Sequence, residues 1–224
     1  TGVQTCALPI LAITPSGASK RELTPRLILR CDASGRIVGR RAARPSAETR
    51  LHLSIATLRG AGAVLHTHSV WNTWSSERYA RQGGMVVGGF EMLKGLQGIS
   101  THEHEEWIPI IENDQDMERL ARRVETTLTE HPAAHAFLLR RHGLYTWGHT
   151  IADAERHVEI LEFLFETHAR LDGHHQAGRK SARRTTPTNA GLAATGRHLG
   201  EEWRSRSARD TFRTSPGSRP SGPV

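Results

Sequence analysis

At 224 residues, with 37% hydrophobic and 24% charged side chains, the chain is long enough to bury one substantial core, and a single α/β domain is expected. No apolar run approaches the roughly 20 residues of a membrane span, and two cysteines, Cys6 and Cys31, speak against a disulfide scaffold or a cysteine-rich zinc module. Ten Lys/Arg against four Asp/Glu follow Leu171 and carry six of the seven net positive charges, so the basicity belongs to a Pro/Gly/Ser/Thr-rich tail without aromatic interleaving, which argues against nucleic-acid binding.

Residues 1–10 read as an adapter-derived artefact, and the domain is expected to span 11–171 with its N-terminal part missing. Leu11 to Thr14 reads as a strand entering a Pro15-Ser16-Gly17 turn, and Leu27 to Cys31 with Arg36 to Val38 as a hairpin. Ser46 is placed as the N-cap of a helix ending at Arg59, with Leu51, Ile55 and Leu58 along one side. Ala61 to His68 is an apolar strand after a Gly-rich turn, and Glu91 sits on a helix starting near Gly89.

Trp107 to Ile111 is a further strand, followed by a helix capped by Asn113 or Asp114 whose buried stripe is Met117, Leu120, Val124 and Leu128. Ala136 to Arg140, the Arg141-His142-Gly143 turn and Leu144 to Trp147 come next. Thr150 with Asp153 opens the last helix, which presents Ile151, Ala154, Val158, Leu161 and Phe165 on one face. Residues 172–224 read as a basic tail, either disordered or a non-native reading frame.

The most informative pattern is His66-Thr67-His68. Alternate strand residues face the same way, so both imidazoles are expected on one side with Thr67 facing away. A catalytic divalent site takes three protein ligands and leaves one position open, and His142 is the best third ligand. His102-Glu103-His104 reads as a solvated loop before a metal site, and His174-His175 carries no weight.

Four segments, Ile13 to Gly17 (ITPSG), Arg44 to Glu48 (RPSAE), Gly62 to Ser69 (GAVLHTHS) and Arg140 to Gly148 (RRHGLYTWG), resemble in order and spacing the class II aldolase/adducin-head superfamily. Phe90 to Gly95 (FEMLKG), Trp107 to Asn113 (WIPIIEN) and Arg141 to Trp147 look most like the branch that dehydrates 5-methylthioribulose 1-phosphate in methionine salvage. The resemblance implies a three-layer α/β/α fold with a central, mostly antiparallel sheet. It also implies Zn2+ held by His66, His68 and His142, and phosphate gripped by Ser16, Gly17 and Ser46. Glu91 is implied as the catalytic acid/base, with Glu48 as a secondary one. The asparagine/serine phosphate motif that the superfamily carries upstream is absent.

The expected activity is a cytoplasmic, zinc-dependent hydro-lyase that forms 2,3-diketo-5-methylthiopentyl 1-phosphate. By resemblance it is a homo-oligomer, a tetramer, with a small phosphorylated sugar as substrate and neither nucleic acid nor membrane as partner. The alternatives are an aldolase or epimerase of fuculose or ribulose phosphate, a non-catalytic interaction module of the adducin-head kind, and a nucleic-acid binder acting through the basic tail.

Overall fold

The computed structural model describes residues 11–18, 24–39 and 43–184, with side chains to residue 173. The adapter-like segment 1–10 and most of the basic tail lie outside the described residues. Chain order is β1 (Leu11–Ile13), β2 (Leu29–Cys31), α1 (Thr49–Arg59), β3 (Ala63–Thr67), α2 (Val70–Arg78), β4 (Gly84–Gly88), β5 (Glu105–Ile111), α3 (Met117–Glu130), β6 (Ala136–Leu139), β7 (Gly143–Gly148) and α4 (Ile151–Arg184).

The main sheet has the order β3-β7-β6-β5-β4, and β1 pairs with β2 separately. β5 and β6 run parallel, and the other neighbours are antiparallel. Period-2 alternation sorts its two faces. Ala136, Leu138 and Leu144 join Met85, Val87, Ile108 and, from α4, Leu161, Leu164 and Phe165. Phe137, Leu139, Tyr145 and Trp147 turn the other way, to Leu51 and Ile55 of α1 and Leu120, Val124 and Leu128 of α3. The three-layer, mostly antiparallel α/β/α architecture implied by the sequence is the architecture observed.

Several boundaries differ from expectation for local reasons. α1 begins at Thr49 with Glu48 as N-cap. Ser46 lies in the turn before it, where its Oγ accepts the Glu48 N–H at 3.3 Å and its carbonyl accepts from Thr49 N at 3.1 Å. α3 is capped by Asp116, whose carboxylate accepts from Glu118 N and Arg119 N, while Asp114 is engaged by Arg119 and Arg123. Glu91 to Gly95 form a short 3-10 turn rather than an α-helix. α4 opens on the expected reciprocal cap between Thr150 and Asp153. It then continues past Leu171 to Arg184, because its two glycines there, Gly173 and Gly178, cost a helix only about 1 kcal/mol each and no proline interrupts it before Pro187.

Candidate functional site

Strand direction decides which residues meet. β6 runs toward the Arg140–His142 turn and β7 returns from it. β3 is antiparallel to β7, so its last residues reach that same end of the sheet. His66 and His68 therefore meet His142, and the three rings offer ligand atoms that all lie within 4.8 Å of one another. Among the described residues this is the group of His, Cys, Asp and Glu side chains that could hold a cation.

His66 is the most constrained of the three. Its Nδ1 donates to the Leu144 carbonyl at 2.8 Å, leaving the lone pair on Nε2, and its ring stacks on Tyr145 at 4.0 Å. Burial pushes its pKa down to about 3 against that hydrogen bond, and the neighbouring imidazoles push the same way, so the ring is neutral at ordinary pH. Burial likewise lowers His142, opposed by the Glu48 charge. The Nε2 atoms of His66 and His68 approach to 2.7 Å, a hydrogen-bond distance.

Gly143 makes the convergence possible. A Cβ there would lie 2.4 Å from the Thr67 carbonyl oxygen, 2.7 Å from the His68 ring and 2.9 Å from the His66 ring. Just before it, Arg141 holds a left-handed φ of 57°, a conformation that costs a non-glycine residue free energy. Its N–H donates to Ser76 Oγ at 2.9 Å, and its guanidinium shares Glu77 with Arg140. Those two guanidinium groups hold the Glu77 carboxyl well below the usual carboxylate range.

Glu48, at the start of α1, puts Oε1 3.2 Å from His142 Nε2 and 3.5 Å from His66 Nε2. The Tyr145 hydroxyl is buried beside it, and burial with the nearby Glu48 charge pushes its pKa up. The segments carrying Ser16-Gly17 and Ser46 come together: Pro15 and Pro45 form a β-bridge, Ser16 N donates to Arg44 O at 3.0 Å, and Gly17 takes a φ of 74°. That pair of turns runs directly into Glu48. His68 also lines an open cavity of about 630 Å³, together with Ser69, Val70, Thr73, Trp74, Glu77 and Arg141.

Glu91 is elsewhere in the chain. β4 forms the opposite edge of the sheet and runs the opposite way to β3, so Glu91 leaves at the other end, four inter-strand steps or about 19 Å away in width alone. Its side chain is 70% exposed, paired with Lys94 and 3.6 Å from His102. Within one chain Glu91 and the three imidazoles therefore lie at opposite ends of the sheet. His104 of the neighbouring loop binds the buried Glu106 at 2.8 Å instead of joining a cation site.

The donor set fits a divalent metal: three imidazoles, one with its tautomer fixed, a carboxylate alongside and glycine where a side chain would intrude. A family model described as "Class II Aldolase and Adducin N-terminal domain" matches residues 4–169. The chain belongs to the class II aldolase and adducin N-terminal domain family. Among its relatives is the methylthioribulose-1-phosphate dehydratase of Methylococcus capsulatus, 44% identical over 164 residues that cover 73% of this chain and 78% of the relative. The enzyme of the same name from Serratia proteamaculans is 47% identical over 156 residues, covering 69% and 75%.

Solved structures share the fold. An L-fuculose 1-phosphate aldolase superposes with a TM-score of 0.60 at 20% identity, covering 74% of this chain and 71% of that one. The L-fuculose-1-phosphate aldolase of Thermus thermophilus gives 0.54 at 23% identity, covering 71% and 78%. Among the described residues no helix is long and apolar enough to cross a membrane.

Proposed function

We propose that this chain is a cytoplasmic methylthioribulose-1-phosphate dehydratase, a metal-dependent hydro-lyase that converts 5-methylthioribulose 1-phosphate into 2,3-diketo-5-methylthiopentyl 1-phosphate and water. The observation that carries it is the convergence of His66, His68 and His142 in a chain 44% identical to an enzyme of that name. These imidazoles would hold Zn2+, which when bound supplies Lewis-acid polarisation of the substrate carbonyl. Ser16, Gly17 and Ser46 would take the phosphate, with hydroxyls and unobstructed backbone next to the N-terminus of α1.

The reaction removes the proton from C3, next to the carbonyl, and expels the hydroxyl from C4. The enol that results ketonises to the 2,3-diketone. A carboxylate that accepts the C3 proton and returns it to the departing hydroxyl completes the balance. The resemblance assigns that role to Glu91, and because Glu91 and the imidazoles of one chain lie at opposite ends of the sheet, a second copy of the chain would contribute it. A homo-oligomer, a tetramer by resemblance, with sites assembled from two copies is therefore part of the proposal.

Glu48 favours a second reading. Its position beside the imidazoles suits an acid/base acting within one chain, as in an aldolase of another ketose phosphate. Three variants decide between them. His66→Ala and Glu91→Gln, each inactive alone, should restore diketone formation when unfolded and refolded together, because mixed oligomers contain some sites with both residues intact. No restored activity, with Glu48→Gln inactive and Glu91→Gln active, would transfer the proton chemistry to Glu48.

A further inference from the structure

Thr67 lies between the two strand histidines and faces away from them. His66 pairs across the ladder with Tyr145, on the α1 side, while Thr67 pairs with Leu144, which belongs to the core under α4. On that side it meets Glu162 of α4. Thr67 Oγ1 donates to Glu162 Oε1 at 3.3 Å, Ser69 Oγ donates to Oε2 at 2.5 Å, and Asn72 Nδ2 donates to Oε1 at 2.7 Å.

Asn72 is fully buried and its amide is fully engaged. Nδ2 also donates to the Thr67 carbonyl at 3.2 Å, and Oδ1 accepts from Ser69 N at 3.2 Å and from Thr73 Oγ1 at 3.3 Å. Thr73 Oγ1 lies 3.4 Å from the His142 carbonyl oxygen. One carboxylate and one amide thus hold the residues on both sides of His68.

His68 is the histidine that needs this support. The His66 ring is fixed by the Leu144 carbonyl and by Tyr145. The His68 ring is exposed, and among the described residues its hydrogen-bond partner is the His66 ring. Its position is set through its backbone.

We propose that Glu162 is a positioning residue for the cation site, acting on His68 through Thr67, Ser69 and Asn72. The proposal rests on reading His66, His68 and His142 as cation ligands. Charge matters here as well as shape, since the carboxylate accepts from three donors. A carboxamide in its place would set an NH2 group against at least one of them.

The test measures Zn2+ affinity of the full chain by competition with a chromophoric chelator. The d–d absorption of the Co2+-loaded protein and the unfolding midpoint of the metal-free protein are recorded alongside. Glu162→Gln should bind Zn2+ about 10–100-fold more weakly and shift the Co2+ bands, while the metal-free midpoint stays near that of the parent. Thr67→Val, a milder change that decides the matter if Glu162→Gln does not fold, should weaken binding less, and Glu162→Asp should recover part of the loss. Parent-like Zn2+ affinity and Co2+ bands in Glu162→Gln and Thr67→Val would overturn the positioning role, as would losses that only track a destabilised metal-free fold. His66→Ala separates the two failures: a parent that binds no better than this variant removes the cation site itself, and the proposal with it.

Discussion

Glu48 and His142 approach to 3.2 Å, carboxylate oxygen to Nε2, although 94 residues separate them. The contact exists because Glu48 caps α1 while the β6–β7 turn delivers His142 to the same end of the sheet. If proton transfer belongs to Glu91, Glu48→Gln should lower kcat/KM for dehydration by less than Glu91→Gln, whose loss should be about 10²–10⁴-fold. Steady-state rates of the two variants, at equal metal content, check the order. An equal or deeper loss in Glu48→Gln would assign the role to Glu48.

Gly143 is predicted to be irreplaceable for metal binding. Its hypothetical Cβ meets a backbone carbonyl, the Thr67 oxygen at 2.4 Å, as well as both strand histidines, so relief requires moving β3 or β7. Gly143→Ala should lose bound metal on dialysis under conditions where the parent retains it. Elemental analysis of the two proteins, purified side by side, reads the outcome, and full retention would contradict it.

Phe137, Tyr145 and His66 form a column: Phe137 stacks on Tyr145 at 5.0 Å, and Tyr145 on His66 at 4.0 Å. Phe137 is fully buried. Phe137→Ala should cost about 3–5 kcal/mol of stability and weaken metal binding through the lost support under Tyr145. Denaturant unfolding of the metal-free protein gives the first number and chelator competition gives the second. Loss of stability with unchanged metal affinity would separate the core from the site.

Glu106 and His135 form a buried pair with a defined pH window. Burial opposes both charges, but their mutual hydrogen bonds and attraction prevail, lowering Glu106 below 4.5 and raising His135 above 6.5. The Glu106 contribution is present above pH 4.5 and lost as pH falls through its depressed folded value. The His135 contribution is complete below pH 6.5 and lost as pH rises through its raised folded value. The stability difference between the parent and Glu106→Gln should therefore be larger near pH 5.5 than near pH 8.5. Denaturant titrations at the two pH values test this, and a difference that grows with pH would refute it.

The metal-site histidines were legible because period-2 alternation and a Gly turn are local signals: His66 and His68 share a face wherever the strand lies. The amphipathic helices α3 and α4 were legible for the same reason. Helix α2 was not, because the face it buries is polar, Asn72, Ser75 and Ser76, so the apolar spacing that marks a buried helix is missing. Ser69-x-x-Asn72 was its one usable signal, a reciprocal cap written with Asn at the third position. Strand β4 was hidden between glycines, with Met85 and Val87 buried but Val86 exposed. Placing Glu91 required the direction of that strand, a property of the whole sheet and not of any segment. Glu162 was likewise invisible, since its partners lie about 90 residues upstream.

Metal content measured on the parent and on His66→Ala, His68→Ala and His142→Ala, each as the folded full chain, tests the central assignment most directly. One divalent ion per chain in the parent, lost from all three variants, is the predicted result. A parent that takes up no divalent ion when supplied with Zn2+, or a His142→Ala variant that holds it as firmly as the parent, would contradict it.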